Sequence, residues 1–161
     1  MKLRRRIPER LILLVGSIGP LGHLPASGSV TVAIVGIPIY WACSGLTPSV
    51  YLLAAAAFTI AAICIHQMGD RILRQKDSPV LVWDGLVGFF IAVYGLPFSP
   101  PLAAIAFFVE RVIDIGKVPP AKWIERTWPG GLGVVGDDVI AGIYTCAMMH
   151  GLLFLAPGLV K

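Results

Sequence analysis

Apolar stretches separated by short segments rich in polar residues, proline and glycine run along the whole chain. They lie at residues 11–15, 30–46, 50–65, 80–98, 102–115 and 139–160. The first is too short to cross a bilayer, which takes roughly 17–25 apolar residues in a helix. The stretch at 102–115 would cover about 20 Å as a helix. The pattern predicts an all-α fold, a polytopic integral membrane helical bundle with short, interrupted helices.

The bundle is expected to contain five membrane segments after a short N-terminal helix, in a single domain over residues 1–161. Loops are expected at His66–Ser78 and at Pro119–Gly136. Irregular backbone at membrane depth usually lines a protected polar site, so the abundance of proline and glycine predicts such a site.

Composition agrees with a membrane protein. Hydrophobic residues make up 57% of the chain and charged residues 14%, with a mean hydropathy of +0.82. These values exclude a disordered chain, and ordinary soluble domains carry about 25% charged residues. Three cysteines at 43, 64 and 146 have no spacing typical of a disulfide framework or a zinc site. They are expected to be small buried residues.

The net charge of +4 bears on how the chain is oriented in the membrane. Basic residues lie beside apolar segments, which fits the positive-inside rule better than nucleic-acid binding. The amino terminus and both basic loops are therefore placed in the cytoplasm. The basic start is interpreted as a retained cytoplasmic anchor rather than a cleaved signal peptide, because no convincing cleavage site follows. Its basic residues are Lys2, Arg4, Arg5, Arg6 and Arg10.

Aspartates are the candidate chemical groups. Asp84, Asp114 and the Asp137–Asp138 pair lie in apolar surroundings, where ionisable residues are expensive and usually functional. Converging carboxylates repel one another unless a cation neutralises them, and oxygen-only ligation suits Mg²⁺. The pattern predicts either a metal or phosphate site, or simple ion pairing with Arg111 and Lys117.

Further short patterns accompany the acids. Arg111, Asp114 and Lys117 follow an i, i+3, i+6 spacing, which can form a salt-bridged helix face or an anion clamp. The glycine-rich segment 130–136 permits close backbone approach. The hydroxyl-rich segment 27–31 can cap a helix or contact phosphate at a helix N-terminus. The three histidines are less informative.

In this order the patterns resemble the phosphatidylglycerophosphatase A family of bacterial inner-membrane lipid phosphatases. Segment 26–32 loosely matches its early small-residue loop, and segment 76–88 matches an aspartate followed by a hydrophobic Asp-Glu pair. An R-x-x-D-x-x-K-P-x-P block is matched by Arg111, Asp114, Lys117 and Pro120, with Val118 replacing the first proline. A final block, G-G-x-G-x-x-x-D-D-x-x-A-G, is matched fully over residues 130–142.

The resemblance implies Mg²⁺-dependent hydrolysis of phosphatidylglycerophosphate to phosphatidylglycerol and phosphate at the cytoplasmic face of the inner membrane. It implies a phospholipid substrate and no nucleic-acid partner, and leaves the oligomeric state open. The implied catalytic residues are Asp77, Asp84, Asp114 and Asp138. The implied substrate-binding residues are Ser29, Thr31, Arg111 and Lys117. The implied metal ligands are Asp84, Asp137 and Asp138.

One departure stands out: Gly85 replaces the glutamate of the Asp-Glu pair. Either another acid, such as Asp77, performs its task, or the chain is a divergent homologue that binds a lipid phosphate without this hydrolysis. A CDP-alcohol phosphotransferase is rejected, because Val87 and Gly88 stand where that motif needs Ala-Arg. A transporter is disfavoured, since its acids would be expected near the bilayer midplane.

Overall fold

The structure, a computed structural model, describes residues 7 to 160, and within them every regular element is a helix. Lys2, Arg4, Arg5 and Arg6 of the predicted anchor lie outside the described residues. The α-helices are α1 (Ile7–Gly16), α2 (Ser27–Thr31), α3 (Ile37–Cys43), α4 (Pro48–Leu73), α5 (Trp83–Ala92), α6 (Pro100–Gly116), α7 (Ala121–Thr127) and α8 (Gly130–Leu155). The predicted all-α class is thus confirmed.

Helices α2 and α3 are joined without a break by a π-helical turn, Val32–Gly36, so residues 27–43 form one helix. The π-turn directly precedes the segment containing Pro38, which has no N–H to donate to the preceding turn. A wider turn at this point keeps the chain helical. The predicted apolar stretch 30–46 therefore corresponds to one helix that begins slightly earlier.

Two helices, α4 and α8, are long and apolar enough to cross a membrane by length and composition. Helix α4 begins with Pro48 in its first turn, continues for 26 residues, and ends where Arg74 adopts a left-handed conformation. The prediction of a loop at His66–Ser78 is wrong for its first part, because residues His66 to Leu73 belong to α4. The apolar stretch from Val50 predicts a helix correctly. The last two turns of that helix are polar, so hydrophobicity does not indicate them.

Helix α5 is much shorter than predicted. The apolar stretch 80–98 contains a helix of 10 residues, Trp83–Ala92, most of whose side chains are buried. It is therefore a core helix and not a full membrane crossing. Two buried tyrosines anchor its end and the loop that follows: the Tyr51 hydroxyl donates to the Phe90 carbonyl at 2.6 Å, and the Tyr40 hydroxyl donates to the Pro97 carbonyl at 2.7 Å. The Phe90 carbonyl is one of the last four of α5, which a helix end leaves unpaired.

The glycine-rich segment 130–136 is helical and not a loop, which corrects the prediction for this part of Pro119–Gly136. Glycines in this segment and farther along α8 allow the helix to pack closely. A Cβ atom at Gly131 would lie 2.4 Å from the Ile63 carbonyl oxygen of α4, and one at Gly142 would lie 2.4 Å from the Gly88 carbonyl oxygen of α5. Helix α8 can therefore lie directly against both neighbours, which brings Asp137 and Asp138 close to the start of α5.

Candidate active site

A pocket of about 410 Å³ lies where the start of α2, the start of α5, the end of α6 and α8 meet. It collects nearly all the residues predicted from the sequence. Those in its lining are Ser29, Asp77, Asp84, Arg111, Asp114, Lys117, Asp137 and Asp138. Thr31 is not among the lining residues. It is fully buried, and its hydroxyl has no hydrogen-bond partner among the described residues.

Arg111 is the central cation of the pocket. Its Nη1 atom lies 3.2 Å from Oδ2 of Asp114, and its Nη2 atom lies 3.7 Å from Oδ1 of Asp138. On its other side, Nε and Nη2 donate to the two carboxylate oxygens of Glu110 at 2.6 and 2.7 Å. The guanidinium is thereby held in one plane, with part of its edge directed into the pocket.

Lys117 is the second cation. It follows α6 in a left-handed conformation, and its Nζ atom lies 2.7 Å from Oδ2 of Asp137 and 2.9 Å from Oε2 of Glu125. Partial burial alone would lower the pKa of this ammonium group. The hydrogen bonds to both carboxylates outweigh burial and raise the pKa above its ordinary value. Lys117 is therefore a permanent positive charge at neutral pH.

Three carboxylates form the tightest acid cluster of the described residues. One oxygen atom each of Asp114, Asp137 and Asp138 lie within 4.8 Å of one another. Asp137 and Asp138 are buried, and Asp114 is half-buried. This set differs from the predicted metal ligands by having Asp114 in place of Asp84. The spacing and the oxygen-only donors fit a hard divalent cation such as Mg²⁺.

Ion pairing, the alternative from the sequence, is also present. Arg111 contacts Asp114 and Lys117 contacts Asp137, so each cation faces part of the cluster. Each is shared with a further carboxylate, Glu110 or Glu125. Acids in this region therefore outnumber the cations that face them. The positive charges of Arg111 and Lys117 do not balance the negative charge of the carboxylates.

Asp84 lies in the first turn of α5 and faces a different partner. Its Oδ1 atom is 3.6 Å from Nε2 of His66, a fully buried residue of α4. Neither ring nitrogen of His66 has a hydrogen-bond partner among the described residues. At 3.6 Å the contact is an ion-pair distance rather than a hydrogen bond. His66 thus lies directly behind Asp84 at the pocket wall.

The segment between α4 and α5 carries Asp77 to the pocket. The buried Asp70 carboxylate accepts the backbone N–H groups of Asp77 and Ser78 at 3.2 and 3.4 Å. Burial against the pocket wall, followed by repulsion from Asp84, raises the pKa of the Asp77 carboxyl above its ordinary value. Asp70 is therefore a structural acid that fixes the segment presenting Asp77.

The start of α2 closes the pocket on one side. Residues 26–29 line it, and Ala26 precedes the helix in a left-handed conformation without any side-chain cap. Of the two alternatives for this segment, capping by a serine side chain is thus not observed. The Ser27 hydroxyl instead donates to the Pro79 carbonyl at 2.5 Å and ties the two loops together. First-turn N–H groups of a helix are suited to an anion.

Sequence reasoning missed several residues that support the pocket. The sequence predicts a loop at His66 and Asp70, but both lie in the last turns of α4. The sequence pattern assigns no role to Glu110, which is fully buried and holds Arg111. A charged residue within the apolar run before Arg111 was the available signal. Glu125 offered none, because its contact with Lys117 depends on how α7 packs.

An all-helical protein whose pocket combines clustered carboxylates with a fixed guanidinium and an ammonium is equipped to bind a phosphate ester. The comparisons with known proteins agree. Residues 14–153 match the family model for phosphatidylglycerophosphatase A, and the chain belongs to this family. This membership confirms the resemblance, and it identifies the chain as an enzyme of the phosphatidylglycerophosphatase type, a phosphomonoester hydrolase.

Individual relatives point the same way. The chain is 26% identical to the phosphatidylglycerophosphatase A of Escherichia coli, over 73% of this chain and 69% of the relative. It is 29% identical to that of Haemophilus influenzae, over 89% and 88%. A Bacteroides thetaiotaomicron protein with the provisional name phosphatidylinositol-3-phosphatase is 30% identical, over 86% and 91%. No solved structure matches the chain significantly.

Proposed function

We propose that this pocket hydrolyses the phosphomonoester of phosphatidylglycerophosphate, giving phosphatidylglycerol and inorganic phosphate in a Mg²⁺-dependent reaction. The observation that carries the proposal is the contact between the two kinds of group the reaction needs. The Arg111 guanidinium lies 3.2 Å from Asp114, which belongs to the compact carboxylate cluster. A phosphate bound by the cation therefore lies beside the oxygens that would hold a metal.

Phosphate binding would be the task of Arg111, Lys117 and the first turn of α2. A guanidinium can donate in parallel to two phosphate oxygens, and charge-assisted bonds of this kind are the strong ones. Gly28 adjoins the same cation, since a Cβ atom there would lie 3.8 Å from Nη1 of Arg111. Backbone N–H groups near Ser29 would then face the phosphate oxygens that Arg111 leaves free.

Asp114, Asp137 and Asp138 would hold the Mg²⁺. When bound, the ion supplies Lewis-acid polarisation of phosphoryl oxygens and lowers the pKa of a coordinated water. The excess of carboxylates over cations around the pocket supports this assignment, because buried like charges destabilise one another without a counter-charge. Lys117 would orient Asp137 through its 2.7 Å contact.

Asp77 and Asp84 would accept the proton and position the attacking water. In the reaction a water oxygen forms a bond to phosphorus, and the bond between phosphorus and the glycerol oxygen breaks. A carboxylate accepts a proton from the attacking water and returns it to the departing glycerol oxygen. The raised pKa of Asp77 suits it to this role, because a base is most effective when its pKa approaches the working pH. Asp84, backed by His66, would position the water.

The surface supports a membrane-embedded, multi-pass arrangement. Large apolar side chains are exposed along α6, where Phe108, Val112 and Ile115 are 66–79% exposed and share one helical face. Helices α4 and α8 are long enough to cross. The basic loops meet near the pocket, where the Lys76 ammonium donates to the Glu125 carbonyl at 2.5 Å. By the positive-inside rule the pocket would face the cytoplasm of a bacterial inner membrane.

The test is phosphate release by the purified full-length protein in mixed micelles. Phosphatidylglycerophosphate, phosphatidylinositol 3-phosphate and a water-soluble phosphomonoester would be compared, each with Mg²⁺ and with EDTA. The proposal predicts that phosphate is released from phosphatidylglycerophosphate with Mg²⁺ and is not released with EDTA. Preferential release from the inositol lipid would assign the substrate named for the Bacteroides relative. Lipid binding without any release would support the non-hydrolysing homologue.

The orientation has its own test. Cys43, Cys64 and Cys146 would be replaced by serine, and a single cysteine would be introduced by Lys122→Cys in the exposed start of α7. A membrane-impermeant maleimide should label it in inverted vesicles and not in intact spheroplasts. Labelling only from the outside would contradict the proposed cytoplasmic face.

A further inference from the structure

Glu110 is a fully buried glutamate in α6. Its carboxylate accepts two hydrogen bonds from the neighbouring Arg111, at 2.6 Å from Nε and 2.7 Å from Nη2. Consecutive residues of a helix do not normally face one another, so both side chains must turn to the same side to meet. They meet over the start of α5, at the wall of the pocket. The arrangement fixes the plane of the guanidinium.

Two glycines of α5 make room for this pair. A Cβ atom at Gly88 would lie 2.6 Å from Oε1 of Glu110, and a Cβ atom at Gly85 would lie 3.1 Å from Nη2 of Arg111. Spaced by three, the two positions lie on one helix face. Gly88 thus adjoins the carboxylate and Gly85 adjoins the guanidinium. A side chain at position 85 would therefore adjoin Arg111, whose flexible end would have to shift by a few tenths of an ångström to admit it.

We infer that Glu110 is a positioning residue, which holds Arg111 from within α6 in the orientation needed for phosphate binding. This rests on the proposed function, in which Arg111 binds the phosphate. The contacts divide the guanidinium into two edges. One edge is occupied by Glu110, and the other faces Asp114 and the pocket, where a phosphate would be bound.

The role differs from that of an ion pair that only stabilises the fold. A buried ion pair is weak support for stability, because desolvation offsets much of the attraction. Its value here is directional, since a guanidinium free to rotate would lose the alignment needed for bidentate binding. If alignment is the function, a carboxylate brought from another helix to the edge that Glu110 holds should restore it. Position 85 is suited to supply one, because a Cβ atom there would lie nearest to Nη2, one of the two nitrogens that Glu110 accepts from.

The experiment is a second-site rescue. Glu110→Gln keeps the size of the side chain and removes its charge, and Gly85→Glu or Gly85→Gln is then added to it. The Km and kcat for phosphatidylglycerophosphate are measured for each. Loss of a charge-assisted hydrogen bond predicts a rise in Km of about tenfold or more for Glu110→Gln. Adding Gly85→Glu should recover most of it, whereas Gly85→Gln should not.

In the otherwise unchanged chain, Gly85→Glu should impair activity rather than improve it. A second carboxylate would then compete with Glu110 for Arg111. The effects of Glu110→Gln and Gly85→Glu on activity should therefore be strongly non-additive. Each substitution should lower activity alone, and the double variant should be more active than Glu110→Gln. Rescue by Gly85→Gln equal to that by Gly85→Glu would overturn the inference, as would an unchanged Km in Glu110→Gln. Thermal unfolding of each variant would establish that it is folded.

A second readout separates this inference from the proposed function. Protection of the protein against thermal unfolding by inorganic phosphate is measured without turnover, for the wild type and the same variants. If the wild type releases no phosphate from any lipid, the proposed reaction fails. The inference still stands if phosphate protection falls in Glu110→Gln and returns only with Gly85→Glu. No protection of the wild type by phosphate, together with no hydrolysis, would overturn both.

Discussion

Arg111 and Asp114 are one helical turn apart in α6, and their side chains meet with Nη1 and Oδ2 at 3.2 Å. Asp114 also belongs to the cluster with Asp137 and Asp138. One turn of one helix therefore joins the cation that would bind phosphate to the acids that would hold a metal. The relative position of these two functions is determined by helix geometry rather than by loops.

Arg111→Lys should be nearly as harmful as removal of the side chain. Lysine keeps the charge but cannot donate to Glu110, Asp114 and a phosphate at once, because it lacks the planar fork of the guanidinium. We expect kcat/Km for phosphate release to fall by about tenfold or more, the equivalent of one lost charge-assisted bond. Lys122→Gln, an exposed change in α7, is the control for substitution of a basic residue outside the pocket. Activity of Arg111→Lys equal to that control would contradict the assigned role.

Asp114→Asn and Asp137→Asn should shift the Mg²⁺ dependence of the reaction. Each change removes one anionic oxygen from the cluster while preserving shape, so more Mg²⁺ should be needed for half-maximal activity. The measurement is a Mg²⁺ titration at saturating lipid. Asp70→Asn lies outside the cluster and is expected to leave the Mg²⁺ midpoint unchanged. A midpoint that moves equally in all three variants would show that the cluster has no special part in metal binding.

Asp70→Asn should instead weaken the fold locally. The carboxylate accepts two backbone N–H groups of the segment before α5, and an amide can satisfy only one of them with its oxygen. Loss of such an acceptor destabilises by about 1–3 kcal/mol. The expected result is a lower midpoint of thermal unfolding than that of Lys122→Gln. Equal midpoints would mean that these hydrogen bonds contribute little.

Asp77 should set the acid limb of the pH profile. A base must be deprotonated, and burial together with Asp84 raises the pKa of Asp77. Activity should therefore fall, as pH decreases, at a higher pH than an ordinary aspartate would give. Asp77→Asn should lower kcat strongly and remove this limb from the residual activity. If the limb persists unchanged in Asp77→Asn, another group acts as the base.

Much of this site could be predicted because its residues occur in short, ordered patterns. Arg111, Asp114 and Lys117 are spaced for a helix, and the Asp137–Asp138 pair stands out in an apolar run. What brings them together is long-range packing, which a sequence pattern does not specify. Placing α8 directly against α5 requires the close contact of Gly142 with the Gly88 carbonyl. Gly131, which the sequence places in a loop, similarly allows α8 to lie against the Ile63 carbonyl of α4.

The errors in the fold have a common cause. Apolar content indicates burial or lipid contact but does not distinguish them, so the stretch 80–98 predicted a crossing where a short core helix, α5, is present. Polar residues suggested that α4 ended at His66, but His66 and Asp70 are buried in the last turns of the helix and support the pocket wall. His66 and Asp70 could be recognised only once their partners, Asp84 and the backbone of Asp77, were known.

The most direct test of the central claim compares the wild type with Asp138→Asn. Asp138 is buried, belongs to the carboxylate cluster and lies 3.7 Å from Arg111. Release of inorganic phosphate from phosphatidylglycerophosphate would be measured for both proteins with Mg²⁺ and with EDTA. We predict release by the wild type with Mg²⁺, and almost none with EDTA or by the folded variant. Undiminished release by Asp138→Asn, or by the wild type in EDTA, would contradict a Mg²⁺-dependent phosphatase site in this pocket.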